Sequence, residues 1–196
     1  MKKTTLLGNR KKGLLIIVSA PAGTGKTTLV KMLTQEFTNV VQSVSYTTRA
    51  PRGTEIEGCD YHYIAPKEFE KMTADNRFLE HAKIYKDYYG TDAKWVEEQL
   101  NCGKHVILVI DTQGGLQLKG KIPAVFIFIE PPSMAVLRHR LEKRKTEPET
   151  KIAERLKWAI KEIETGRQYD YRIINDDLDT AYQVLRSIVI AEEHKN

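Results

Sequence analysis

Cysteine is scarce in this chain. Only Cys59 and Cys102 occur among 196 residues, and neither has a second Cys beside it at metal-ligand spacing. That argues against a disulfide scaffold and for reduced thiols in a cytoplasmic setting. Long apolar runs are missing as well: the longest, Gly13-Leu-Leu-Ile-Ile-Val-Ser19, falls far short of the roughly 20 residues a membrane helix needs. No membrane partner is expected. Five of the first thirteen residues are Lys or Arg, yet no apolar stretch with a small-residue cleavage site follows them, so a secretory signal is not expected. Residues 1–13 read instead as a disordered basic tail. No repeat or low-complexity tract interrupts the remainder.

What is present is enough apolar material for one substantial core, 41% of the residues, and a second large domain would leave both halves marginal. Leu14 to Val18, Val106 to Ile110 and Val125 to Ile129 are short runs rich in β-branched and aromatic residues, the mark of strands covered on both faces. Ile173-Ile174 offers a fourth. Between them lie helical patterns at about Lys26 to Phe37, Asp92 to Asn101, Ser133 to Lys143, Ile152 to Tyr169 and Leu178 to Glu192. This alternation predicts an α/β fold, a mostly parallel sheet flanked by helices, with its ligand crevice at the carboxyl ends of the strands. The core is expected over 14–43 and 92–196. Residues 44–91 break the rhythm with short alternating segments and a turn near Lys86-Asp87, and are expected to form an inserted subdomain. A second break at Lys143 to Glu149 is charged and holds Pro148, which suggests a helical lid over about 143–156.

Ala20-Pro-Ala-Gly-Thr-Gly-Lys-Thr27 follows the phosphate-loop pattern G-x-x-x-x-G-K-[ST], with Ala20 at the first glycine. The glycines Gly23 and Gly25 let successive N–H groups turn toward phosphate oxygens, and the helix opening near Lys26 adds its positive end. Lys26 reaches the β- and γ-phosphates, while Thr27 offers a hydroxyl to Mg²⁺. Ala20, Pro21, Ala22, Gly23, Thr24, Gly25, Lys26, Thr27 and Thr28 are thus the candidate triphosphate site. A strand ending in Asp111 lies downstream, where an acid can hold the metal through water.

The inserted region supplies an acceptor site. Arg49 and Arg52, three apart with Pro51 stiffening the chain between them, suit a phosphate. Tyr61 and Tyr89 could add phenolic donors or simply pack in strands. Glu80 is a lone acid in an apolar setting, and a carboxylate accepts the paired N–H groups that guanine presents and adenine does not. Net charge is +5 and the isoelectric point about 9.1, a balance that anionic substrates explain. The aromatic residues lack the interleaving with basic ones that a single-strand groove would show, so no nucleic-acid partner is expected.

In this order the motifs resemble the guanylate kinase family. The marks are the phosphate loop, Ser43-Val-Ser-Tyr-Thr-Thr-Arg-Ala-Pro-Arg52, Gly58-Cys-Asp-Tyr61, Phe78-Leu-Glu80, Tyr88-Tyr-Gly-Thr91, Ile110-Asp-Thr-Gln-Gly114, Pro131-Pro-Ser133 and Ile174-Asn-Asp-Asp177. The resemblance runs from about Gly13 to Ile190. It implies Mg²⁺-dependent transfer of the γ-phosphoryl group of ATP to GMP and dGMP. It also implies that Arg49, Arg52, Tyr61 and Tyr89 hold the GMP phosphate, while Ser45, Glu80 and Thr91 read the guanine. Arg144 and Arg155 would close over the transferring phosphates, Asp111 would lie beside metal and substrates, and Asn175 would border the adenine. Two departures stand out: Val109 replaces the acid the family usually has two residues before Asp111, and Lys145 replaces a small or amide residue. A sister kinase for another nucleotide, or a scaffold that grips phosphorylated partners, are the rival readings. A monomer or a homodimer would serve equally.

Overall fold

The computed structural model describes residues 5–143 and 148–195. The elements follow in the order β1 (Leu15–Ser19), α1 (Lys26–Glu36), β2 (Val40–Gln42), β3 (Tyr46–Thr47), β4 (His62–Tyr63), α2 (Pro66–Ala74), β5 (Phe78–Ile84), β6 (Asp87–Asp92), α3 (Ala93–Asn101), β7 (His105–Val109), α4 (Thr112–Leu118), β8 (Val125–Glu130), α5 (Met134–Lys143), α6 (Glu149–Gly166), β9 (Tyr171–Ile174) and α7 (Leu178–Glu193). Five strands form an all-parallel sheet in the order β2-β7-β1-β8-β9. The apolar runs alternate across it. Ile16, Val18, Ile107, Ile127 and Ile129 face α1 and α7, whereas Leu15, Ile17, Val106, Leu108, Phe126 and Phe128 face the other layer, where Val96 and Leu100 of α3, Leu118 of α4 and Ile163 of α6 pack. Helices on both faces are what let these strands be apolar throughout.

β1 sits in the middle, so its carboxyl end and the loop after it open where the crossovers part. The remaining strands, all between Tyr46 and Asp92, form a separate mixed sheet in the order β4-β3-β6-β5. α2 buries Phe69 and Met72, and the Phe69 ring stacks on Phe78 and Tyr88.

The amino-terminal segment differs from the expected disordered tail. From Thr5 onward it docks on α7: Leu7 is buried in the main core, the Asn9 N–H donates to the Glu193 carboxylate at 2.6 Å, and Arg10 donates to the carbonyls of Glu192 and Glu193. A buried apolar side chain and a cap on the last turn of a helix tie down what charge alone would have left in water. The flap lies partly in regular structure, since α6 begins at Glu149, while Arg144 and Lys145 lie outside the described residues. Among the described residues no helix is long and apolar enough to cross a membrane.

Candidate active site

The loop after β1 owes its shape to two glycines. Gly23 and Gly25 have φ of 95° and 88°, left-handed values that other residues seldom adopt. A β-carbon on Gly25 would also lie 2.6 Å from the side-chain amide of Asn175. That amide is buried and donates to the Thr24 carbonyl at 2.7 Å, so Asn175 braces the loop as well as bordering its outer side. Thr24 closes the turn on Pro21 at 2.9 Å. Among the described residues only Asn76 and Tyr85 have positive φ without being glycine, so Ala20 needs no glycine's freedom, and the altered loop position is accommodated.

Lys26, the first residue of α1, points back along the loop, with Nζ 3.4 Å from the Ala20 carbonyl. Burial pushes its ammonium down, opposed first by Glu162 and then by Asp111. Thr27 and Thr28 are exposed. Asp111 caps α4: one carboxylate oxygen accepts the Gly114 N–H at 2.9 Å and the other accepts from Gln113 at 3.1 Å.

Opposite the loop stands the mixed sheet. Glu80 on β5 pairs with Thr91 on β6, and its buried carboxylate accepts the Thr91 hydroxyl at 2.6 Å. Burial pushes this acid up to about 7, against the Thr91 hydrogen bond. The room it needs is set by α4, where a β-carbon on Gly114 would stand 2.3 Å from Glu80 Oε2. Gly114 is therefore glycine for the sake of an acid more than thirty residues away.

Arg49 is held on several sides. Its Nη1 and Nη2 donate to Glu55 at 2.9 Å each, Nη1 also donates to the Ala50 carbonyl at 2.8 Å, and Nε donates to the Tyr89 hydroxyl at 3.2 Å. The guanidinium lies 5.1 Å from the Tyr61 ring centroid. Of five N–H groups this leaves one, on Nη2, for a ligand. Glu55 accepts in addition from the Arg52 N–H at 2.7 Å and the Tyr63 hydroxyl at 2.8 Å, and the Arg49 hydrogen bonds hold it down at about 2. Arg52 itself is exposed.

One cleft gathers Ala20, Ala22, Lys26, Ser45, Tyr61, Glu80, Tyr89, Asp111 and Arg155, with Val109 beside them. A second hollow across the loop is lined by Gly23, Thr24, Gly25, Thr28 and Asn175, together with Arg140, which donates to the Asn175 carbonyl at 2.9 Å. Thr91 lies behind Glu80, and Arg49 behind the two tyrosines. Sequence reasoning missed Glu55, Tyr85, Trp158 and Glu162. The last two had a signal: Arg155, Trp158 and Glu162 follow at i, i+3 and i+7, one stripe of α6.

A glycine-turned loop and its lysine, facing a buried carboxylate and two tyrosines backed by Arg49 across a single cleft, form a two-substrate arrangement. The family model "Guanylate kinase" matches residues 12–192. The chain belongs to the guanylate kinase family. ATP:GMP phosphotransfer is that family's reaction. Among its relatives, "Guanylate kinase" of Protochlamydia amoebophila is 59% identical over 191 residues, covering 97% of each chain. The protein of the same name from Chlamydia caviae is 47% identical, over 93% of this chain and 90% of that one. Among solved structures, guanylate kinase from Anaplasma phagocytophilum superposes with a TM-score of 0.78 at 34% identity, covering 94% of this chain and 88% of that one.

The metal expected with a triphosphate has a modest donor set here. Among the described residues no three of His, Cys, Asp and Glu gather so as to hold an ion. A hydroxyl at Thr27 and a carboxylate at Asp111, already engaged at the helix cap, suit Mg²⁺, which keeps its waters and binds chiefly through substrate phosphates.

Proposed function

We propose that this chain phosphorylates GMP, and dGMP, at the expense of ATP, with the loop Ala20–Thr28 holding the donor and residues 44–91 forming the acceptor subdomain. The observation that carries the reading is Glu80: a buried carboxylate whose Oε1 is occupied by Thr91, aimed into the cleft that Lys26 also lines. In its ionised form it accepts the guanine N1 and 2-amino protons together, with Ser45 and Thr91 completing the contact. Adenine offers no such pair.

Phosphoryl transfer asks a protein for position and charge, with little covalent work. Lys26 neutralises the donor oxygens, Arg49 and Arg52 with Tyr61 and Tyr89 hold the acceptor phosphate in line, and Arg144 and Arg155 meet the charge that develops between them. Thr27, and Asp111 through water, would hold Mg²⁺, which would supply further neutralisation of the phosphates. No general base is required, because the nucleophile is already a phosphate anion. Asn175 and Arg140 border the nucleoside of the donor. The exposed free thiols of Cys59 and Cys102 support a reducing, cytoplasmic setting.

The test is a coupled assay of ADP release with GMP, dGMP, AMP, UMP and dTMP. GMP and dGMP are expected to work, and an analogue without the paired N–H groups to be rejected by about 10⁴-fold. Glu80→Gln, which presents an amide where the guanine donors need an acceptor, should erase most of that ratio. AMP turnover equal to GMP turnover would refute the assignment.

A further inference from the structure

The cleft holds three carboxylates and two cations: Glu80, Asp111 and Glu162 against Lys26 and Arg155. Two of the acids already have tasks. Glu80 is engaged by Thr91, and both oxygens of Asp111 serve the start of α4. Glu162 is different. It is 8% exposed, it faces the same cleft, and what acts on it besides burial is charge, that of Lys26 first, then Asp111 and Arg155. From the other side, Glu162 outranks Asp111 among the acids that act on Lys26.

The helix explains why this acid is well placed to steer its neighbours. One turn further on, Gly166 lies so close to the sheet that a β-carbon there would stand 2.4 Å from the Phe128 ring, and Ala159 on the same side is buried. This half of α6 is therefore seated directly on β8. Glu162 projects from the seated part, and Arg155 from two turns nearer the end of the helix that adjoins the flap. A charge fixed on a rigid element, facing one cation from the phosphate loop and one from its own helix, is how a site keeps flexible cations oriented.

We propose that Glu162 is a positioning residue of the phosphoryl-transfer site: from the wall of the cleft its charge draws Lys26 and Arg155 toward the cleft until the phosphates of the donor displace it. The proposal rests on the phosphotransfer reading for its turnover test. It also has a binding test that does not. With the carboxylate in place, donor phosphates compete with it for both cations. With it gone, the cations are more available but less well directed, so affinity for the donor rises while turnover falls.

Glu162→Gln and Glu162→Asp, purified as the full chain, separate these effects. In Glu162→Gln, kcat is expected to fall by at least about 10-fold from misdirected cations, with the KM for GMP little changed. ATP binding measured by calorimetry in the absence of GMP should tighten by about 3- to 10-fold as the competing charge is lost. Glu162→Asp, which keeps the charge on a shorter stem, should restore part of kcat and return ATP affinity toward that of the parent. Parent-like kcat and ATP affinity in Glu162→Gln would overturn the proposal, as would a fall in thermal midpoint with kcat per folded molecule unchanged. Should Glu162→Gln fail to fold, Glu162→Asp decides alone, and unaltered kcat in it overturns the proposal. A parent chain that binds ATP but does not turn over GMP refutes the substrate assignment instead, and the calorimetric comparison still judges Glu162.

Discussion

The two walls of the cleft are built on different principles. On the wall proposed for the donor, backbone shapes the surface: Gly23 and Gly25 turn the loop, Asn175 braces a carbonyl, and the helix adds its dipole. On the acceptor wall, side chains hold one another, Arg49 against Glu55 and Tyr89, and Glu80 against Thr91. A wall of backbone tolerates a change of side chain wherever the dihedrals are ordinary, as at Ala20. A wall of interlocked side chains passes every substitution on to its neighbours.

Lys26 is the exception on the donor wall, and removing it should give the largest effect. Lys26→Ala is expected to lower kcat by about 10³-fold with the fold intact, the scale of losing one aimed charge at a transferring group. Steady-state kinetics with circular dichroism would check it, and near-parent turnover would break the comparison.

Next comes Glu55→Gln on the acceptor wall. It replaces a charged acceptor of four hydrogen bonds and releases Arg49, so kcat/KM for GMP should drop by about 10- to 100-fold, the worth of one or two charge-assisted bonds. The KM for ATP should hardly move. A loss shared equally by both substrates would mean the walls are not separate.

Acidity should also distinguish them. If guanine binds the ionised form of Glu80 as proposed, it meets a carboxyl that burial pushes up to about 7. Protons therefore compete with GMP below that value, and its KM should rise by about tenfold for each pH unit lost. Above about pH 7 it should be flat. The KM for ATP should instead fall as pH drops over the same range, by no more than about the 3- to 10-fold expected of Glu162→Gln, because burial pushes Glu162 up to about 7 as well. Initial-rate profiles from pH 5.5 to pH 8, read with about 1.4 kcal/mol per unit in mind, test both halves of the statement.

The smallest effect belongs to Ala20→Gly. Restoring the usual glycine changes no required dihedral, and kcat and both KM values should stay within about 2-fold.

The donor wall was also the more legible in sequence, and for the same reason. Backbone sites advertise themselves through glycine spacing between a buried strand and a helix, so the loop, its strand and Asp111 could be found one after another. Interlocked side chains leave no such spacing. Nothing in Arg49-Ala-Pro-Arg-Gly-Thr-Glu55 announces a two-pronged ion pair, and the stripe Arg155, Trp158, Glu162 gains a meaning only once α6 is seen lying on Phe128. Short elements escaped too: β2 has three residues, and α2 hides its amphipathic face, Phe69 and Met72, in nine residues opened by Pro66. Leu7 shows the limit of reading charge, since a buried leucine together with the Asn9 and Arg10 bonds to α7 docks a basic segment.

The central place of β1 has a bearing on how the molecule comes into being. Its two neighbours in the sheet, β7 and β8, begin at His105 and Val125, so the strand that carries the phosphate loop is made before either partner and waits unpaired until nearly half the chain has followed it. Pairings that distant close slowly. The loop proposed to grip the donor is thus made well before it can be set. A bound triphosphate, which needs the finished loop, would report directly on completion of the sheet.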